Sequence, residues 1–202
     1  MSGILKVGGS ELIHDNGGSG SLQWGSGVPA GSVLQVKQQK SDAFQNITGD
    51  INTMINISGL NTSITIGANN KVLVQGMISC SSNYWAIALK LKRGIDTSTL
   101  SDVNDALGDN TGYTNQKKVM TSTLGATASG GGMHNDEMSQ IHFSYIDSPN
   151  QSSSSTIHYG VFVHSRGTGS QTIRINAPYD YTDNNIYITR GISTLILSEI
   201  QS

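Results

Sequence analysis

The chain has 202 residues, a formal net charge of −2 and only 13% charged residues, against 36% hydrophobic ones. Disordered chains combine high net charge with few apolar residues, so this composition excludes the usual disordered class. It also argues against a nucleic-acid partner, because the sequence contains no basic run that could neutralise phosphates.

The first predicted unit is an arm over residues 1–30, in which three short apolar segments are separated by glycine clusters. The segments lie at 4–7, 11–14 and 21–24, and none is long enough to bury a face by itself. A short β-arm or stem of this kind is typical of a protein that inserts into something larger. We expect its buried, anchoring contacts to come from six side chains: Leu5, Val7, Leu12, Ile13, Leu22 and Trp24.

The second predicted unit, residues 31–202, has the period-two pattern of β-strands. The predicted strands lie at 33–38, 51–57, 64–66, 71–80, 84–91, 119–124, 141–145, 159–163, 172–176, 185–190 and 193–200. Helical spacing occurs only at 97–107, which predicts one short helix or a polar loop ended by Gly108. Eight or more strands with turns between them indicate an all-β fold, either an antiparallel sandwich or a jelly roll.

Apolar residues occur on both faces of some predicted strands. Phe162 lies opposite Val161 in the alternation, and Leu73 lies opposite Val72 and Val74. A lone sandwich needs only one apolar face per strand. The second apolar face therefore reflects either irregular packing, including a strand that crosses between sheets, or contact with another subunit.

Candidate catalytic and metal-binding residues are few. His134, Asp136 and Glu137 follow a glycine run, and such a loop gives metal ligands no rigid frame. Neither a G-x-S-x-G nucleophile elbow nor a phosphate-binding loop is present. We therefore expect no enzymatic activity, no cofactor and no metal site.

The single cysteine and the N-terminal residues are relevant to the cellular compartment of the protein. Cys80 has no partner for an intrachain disulfide, and we expect it to be buried on an apolar strand face. The opening residues MSGILKVGG lack the features of a signal peptide. No segment approaches the roughly 20 apolar residues of a membrane-spanning helix. We expect synthesis in a cytosol and no membrane insertion.

Three tyrosines near predicted turns are candidate receptor contacts: Tyr113, Tyr179 and Tyr181. Exposed aromatic rings can stack on sugar rings, so a host-surface glycan is the partner that this pattern would suit.

Six segments carry a family resemblance: PAGSVLQVKQQK (29–40), GLNTSITIGANNKVLVQGMISC (59–80), ALKLKRG (88–94), MSQIHFSYIDSPN (138–150), STIHYGVFV (155–163) and STLILSEI (193–200). They resemble the virion structural proteins of marine and cyanobacterial phages that are often described as tail-fibre-like. The most specific pieces are the SITI/KVLV hairpin, the YIDSP turn and the terminal L-x-L-x-E-I strand.

The resemblance implies a jelly-roll head, homotrimeric, displayed on the virion by its N-terminal arm, and it transfers no catalytic residue. The leading hypothesis is a non-enzymatic fibre or spike that is made in the host cytoplasm and attaches to other virion proteins by residues 1–30. One alternative is a capsid decoration (cement) protein that bridges major capsid subunits. Another is a domain that binds or hydrolyses glycans on the host surface.

Overall fold

The structure is a computed structural model of the chain. It describes residues 4–7, 10–15, 22–24, 28–49, 53–82, 86–109, 111, 117–124, 137–165, 171–179 and 189–202, and of the first three ranges it describes the backbone alone. The statements below concern these residues.

The described residues are mainly β-strand. The strands are β1 (Ile4–Val7), β2 (Ser10–Asp15), β3 (Leu22–Trp24), β4 (Val33–Ser41), β5 (Gln45–Gly49), β6 (Ile55–Ile66), β7 (Lys71–Ser82), β8 (Ala86–Gly94), β9 (Ser101–Asp102), β10 (Thr121–Leu124), β11 (Ser139–Asp147), β12 (Ser155–Ser165), β13 (Gln171–Ile175) and β14 (Ser193–Ile200). One 3-10 turn, Asn104–Ala106, is the helical element of the described part. The all-β prediction is confirmed.

The long strands after the arm pair in a nested order, in which the first strand of the head pairs with the last. Strand β4 pairs with β14, β6 with β12, β7 with β11 and β8 with β10, so the pairs nest inside one another along the chain. Two further pairings, β14 with β7 and β12 with β8, join them into two antiparallel sheets. This nested connectivity of eight strands is that of a jelly roll, and it decides between the two architectures that the sequence left open.

The two sheets of the head differ in size. The six-stranded sheet contains β4, β14, β7 and β11 side by side, with β13 and β5 continuing from the far end of β7. The five-stranded sheet has the order β10, β8, β12, β6, with β9 beside β8. Strands β1, β2 and β3 pair with one another in a third antiparallel sheet. The division into an arm at 1–30 and a head at 31–202 stays a prediction.

The core lies between the two large sheets and is built from alternate residues. Tyr159 and Val161 of β12 are fully buried, as are Val74 of β7 and Leu197 of β14. Full burial of one such aliphatic side chain stabilises the fold by about 1.5–3 kcal/mol. Cys80 is also fully buried on this inner face, as predicted.

Two departures from the predicted strands have local causes. The end of the predicted strand at 51–57 and the predicted strand at 64–66 are parts of one strand, β6, which begins at Ile55 and whose alternation is interrupted at Gly59, where φ is +77°. Residues 53 and 54 are not in a strand, and residues 51 and 52 lie outside the described residues. A register shift in the pairing of β12 with β6 accompanies the interruption, as expected for a β-bulge. The segment at 97–107 forms β9 and the 3-10 turn rather than a full helix. Most of the predicted strand at 185–190 lies outside the described residues.

Candidate interaction face on the six-stranded sheet

The outer face of the six-stranded sheet, turned away from the core, carries a row of apolar side chains. Residues directly opposite each other in antiparallel strands point to the same side. Val36 is opposite Ser198, Ser198 is opposite Leu73, and Leu73 is opposite Ile146. Since the neighbouring Val72 points into the core, this row faces outward across four strands.

We call six side chains of this face the apolar patch: Val33, Val36, Leu73, Ile146, Ile196 and Ile200. Val33, Val36 and Ile146 are 50%, 60% and 55% exposed, and the other three are half-buried. The described part of the chain has five exposed large hydrophobic residues, and these are three of them. Single exposed hydrophobic residues are ordinary, whereas a cluster marks a contact surface.

A shallow trough adjoins the patch on the same face. It consists of two depressions of about 470 and 600 Å³ that meet at Met77. The first is bordered by Gln75, His142 and Thr194, and the second continues to Met138 and Ile192. Thioether, amide and hydroxyl groups form most of its wall, and Glu137 and Arg190 also line the second depression, so it extends the patch as a mixed polar and apolar surface.

The outer face of the five-stranded sheet is charged instead. Lys90 and Lys92 lie 2.7 and 3.5 Å from the carboxylate of Asp102. Burial acts to raise the pKa of Asp102, but the two ammonium groups hold it below its ordinary value. The Lys92 ammonium also lies 4.7 Å from the ring centre of Phe162. At Phe162, where a second apolar face was predicted, the half-buried ring thus has a contact within the chain, and the second face at Leu73 belongs to the patch.

The chain enters the head at the patch. Gly31 N–H donates to Gln201 O (2.8 Å) and Gln201 N–H donates to Ser32 O (2.9 Å), so the start of β4 is held beside the end of β14. Val33 pairs there with Ile200, and both belong to the patch. The connection from the arm therefore reaches the head at the apolar end of its outer face.

The six predicted anchoring residues lie in the arm strands. Leu5 and Val7 are in β1, Leu12 and Ile13 in β2, and Leu22 and Trp24 in β3. In the register, Leu5 is opposite Ile13 and Ile13 is opposite Trp24. Their side chains lie outside what the structure describes, so anchoring by them stays a prediction.

A buried carboxylate ties the two sheets together next to the patch. Asp147, which is 2% exposed, accepts hydrogen bonds from Tyr159 Oη (2.7 Å) and from the Arg93 guanidinium. Asp147 belongs to the six-stranded sheet and its two partners to the five-stranded one. Burial and the charge of Asp147 raise the pKa of Tyr159 well above its ordinary range. Each carboxylate oxygen of Asp147 has a hydrogen-bond partner within the chain, which suits a structural role.

A second buried carboxylate holds the turn between β6 and β7 at the same end. Glu199 accepts hydrogen bonds from Gly67 N–H (2.7 Å), Asn70 Nδ2 (2.7 Å) and Gln35 Nε2 (2.6 Å). Asn69 within this turn has φ of +61°, a conformation that asparagine tolerates. These bonds fix β4, β14 and the turn in one arrangement, so the backbone that carries the patch is preorganised.

Of the three predicted receptor tyrosines, Tyr179 is described. It is half-buried, and its ring lies 4.8 Å from the Arg174 guanidinium, which donates to the backbone oxygens of Tyr179 and Pro178. One face of this ring is therefore occupied within the chain. Tyr113 and Tyr181 lie outside the described residues, and receptor contact by all three stays a prediction.

Of the three residues considered as metal ligands in the sequence, the structure describes one. Glu137 is exposed, while His134 and Asp136 lie outside the described residues. Within the described ranges, no group of three or more His, Cys, Asp or Glu residues is placed to hold a metal ion. The same ranges contain no helix with the length and apolar character needed to cross a bilayer.

Sequence analysis identified Leu73 as a second-face residue but did not single out Val36, Ile146 or Ile196. A signal existed for Ile146. It follows Ile141, Phe143 and Tyr145 out of phase, which places it on the opposite face of the same strand.

Comparison with known proteins gives distant structural similarity. No protein-family model and no curated protein matches the sequence. A structure of infectious bursal disease virus, Gx strain, is similar with a TM-score of 0.35 and 10% identity, over 89% of this chain and 39% of that one. A crystal structure of the VP2 subviral particle of the same virus has a TM-score of 0.32 and 13% identity, over 90% and 40%. The chain spans about two fifths of the length of these structures.

Proposed function

We propose that this protein is a non-enzymatic virion structural protein of a phage. In this proposal it forms a homotrimeric fibre or spike that attaches to the particle by its N-terminal arm and displays the jelly-roll head outward for host attachment. The observation that carries the proposal is the position of the apolar patch, which lies on the outer face of the head at the end where the arm enters.

The patch supports an assembly role because it lies outside the core. The core is already formed between the sheets by residues such as Val74 and Leu197. Each square ångström of apolar surface left in water costs about 25 cal/mol relative to burial. Three exposed aliphatic side chains in one cluster are therefore explained more simply by a covered surface than by a free one.

The virion location is supported by the sequence resemblance to tail-fibre-like phage proteins. The motifs that carry it have structural positions in the head. The SITI/KVLV motif is the junction of β6 and β7; the predicted hairpin there is wrong, because the two strands lie in different sheets and the junction crosses between them. The YIDSP turn contains Asp147, and the terminal strand contains Glu199. Motifs that hold a fold together, rather than motifs that perform chemistry, are what a structural component is expected to share with its family.

A decoration protein is the second candidate, because the same patch and arm could bridge capsid subunits. The two functions differ in copy number per particle. A fibre or spike occupies few sites, whereas a decoration protein covers a capsid. Quantifying the protein in purified particles separates them, and a count in the hundreds would contradict the fibre.

Deletion of residues 2–30 tests the attachment. We expect the shortened protein to retain its β-sheet circular dichroism and to be lost from purified particles. The full-length protein produced in parallel serves as the control and should be incorporated. Incorporation of the folded, shortened protein at the full-length level would contradict attachment by the arm.

A further inference from the structure

We propose that the apolar patch is the contact surface between the heads of neighbouring copies of this chain, facing the axis of the assembly. This inference rests on the proposed function, which it extends by naming the occupant of the patch as a second copy rather than another virion protein.

The charge distribution favours a second copy. None of the six patch residues is ionisable. On the same sheet Lys71 lies opposite Ile200, Lys40 pairs with Asp42 at 2.9 Å, and Glu137 and Arg190 line the far depression of the trough. Within the patch itself, a strongly charged partner would find no complementary side chain. Two uncharged patches of the same composition meet without like-charge repulsion.

The position of the arm brings the patches together. Because Gly31 and Gln201 join the arm connection to the patch end of the sheet, arms gathered at one attachment point place the same end of each head near a common axis. Closed cyclic symmetry is the usual arrangement for such copies. Tethering also raises the effective concentration of one head near the next, so a modest contact is sufficient.

The area of the patch agrees with a modest contact. It spans four strands about 4.8 Å apart and roughly five residues of about 3.4 Å each, which gives a flat area of roughly 300–350 Å². A standard interface buries about 800 Å² on each partner. The patch therefore supplies the apolar centre of the contact, and the trough around Met77 supplies its polar rim.

Alkylation of introduced cysteines tests the inference in the full-length chain. The natural Cys80 is buried, and burial raises its pKa to about 12, so it reacts poorly near neutral pH. We would compare Val36→Cys and Ile146→Cys with Ile95→Cys. Ile95 is 71% exposed, follows β8 of the other sheet, and provides a matched isoleucine control. Light scattering gives the oligomeric state, and mass spectrometry gives the rate of reaction with a maleimide.

In the oligomer, we expect both patch thiols to react at least about tenfold more slowly than the Ile95→Cys thiol. Equal rates in an oligomer would show that the arms alone hold the copies together, and they would overturn the inference while leaving the proposed function intact. A wild-type monomer at micromolar concentration would also overturn it. Protection found only in assembled particles would assign the patch to a different virion protein. Failure of the proposed function itself would be seen separately, as incorporation without residues 2–30.

Discussion

Cys80 lies on the inner face of β7, directly opposite Ser139 of β11 and Ile175 of β13. The thiolate has no stabilising charge there, and burial raises the pKa of Cys80 from 9.0 to about 12. Tyr159, also in the core, has its pKa raised from 10.0 by burial first and by the charge of Asp147 second. Both groups remain protonated in the folded protein at pH values where they ionise in the unfolded chain.

The first residue-scale prediction is a loss of stability at alkaline pH. A raised pKa means that the stabilisation is fully present below pH 9.0 and is lost as pH rises toward the folded-state value. For Cys80 alone, the free energy of unfolding should fall by roughly 2 kcal/mol between about pH 9 and pH 11. Tyr159 adds a loss in the same direction above pH 10.0. Urea unfolding at a series of pH values measures the fall.

Cys80→Ala provides the control for this prediction. The substitution removes a small buried side chain and should lower stability below pH 9.0, where the thiol is protonated in both states. The thiol is identified by the slope of the free energy of unfolding against pH. In Cys80→Ala this slope should become shallower above pH 9.0, because only Tyr159 and the surface groups then contribute. Parallel pH profiles for the two proteins would contradict the assignment to Cys80.

At the scale of elements, the pairing of β7 with β11 depends on an aromatic ring placed over a glycine. Gly76 and Phe143 are directly opposite in the register, and a Cβ at Gly76 would lie 2.3 Å from the Phe143 ring. The missing side chain is therefore what allows the ring to cover the glycine and close this edge of the core. Cross-strand rescue of a glycine by an aromatic residue is a known device in sheets.

We predict that Gly76→Ala destabilises the head by about 1–3 kcal/mol, because the ring must move away from its place in the core. Urea unfolding of Gly76→Ala, Phe143→Ala and the double variant measures the coupling. In the Phe143→Ala background, the added methyl group should cost much less. Gly108→Ala is the control, since its nearest contact for a Cβ is Val119 O at 3.7 Å. Additive costs in the cycle would show that the ring and the glycine do not interact.

Much of the element pattern followed from alternation. Tyr159, Val161 and Val163 were predicted on one face of a strand, and all three are buried in β12. The alternation failed where a bulge changed the phase, as at Gly59 in β6. Strand β5 had no predicted counterpart. Of its five residues, Ile47 is the only aliphatic one and the only one among those with described side chains that is buried in the core. Such a strand depends on its pairing with β13 more than on its own pattern.

The candidate face was only partly predictable for a different reason. Alternation identifies Leu73 and Ile146 as residues outside the core-facing sets of their strands. It does not place them beside Val36, because that row is created by pairings between strands far apart in sequence. In a jelly roll the first strand of the head pairs with the last, so the position of every row depends on the whole topology.

For the molecule as a whole, the nested topology has a consequence for assembly. Because β4 pairs with β14, the connection from the arm and the C-terminal strand meet at one end of the six-stranded sheet. The patch lies at this end, and the charged groups around Asp102 lie on the other sheet. The apolar patch and the charged cluster around Asp102 therefore lie on different sheets. If copies meet through the patch, the thermodynamics of association should be those of apolar burial.

The prediction at this scale is that self-association of the full-length chain weakens on cooling and responds little to salt. Apolar contacts lose strength at low temperature and give a negative heat-capacity change on binding, while salt screens mainly the interactions of exposed charges. Sedimentation at several temperatures and salt concentrations measures both.

Ile146→Lys should weaken association most at low salt, because like charges then meet at the contact, and added salt should partly restore it. Ile95→Lys, at an exposed position after β8 that is not part of the patch, should behave like wild type. A steep loss of wild-type association with salt would instead assign the contact to ion pairs and to the charged face around Asp102.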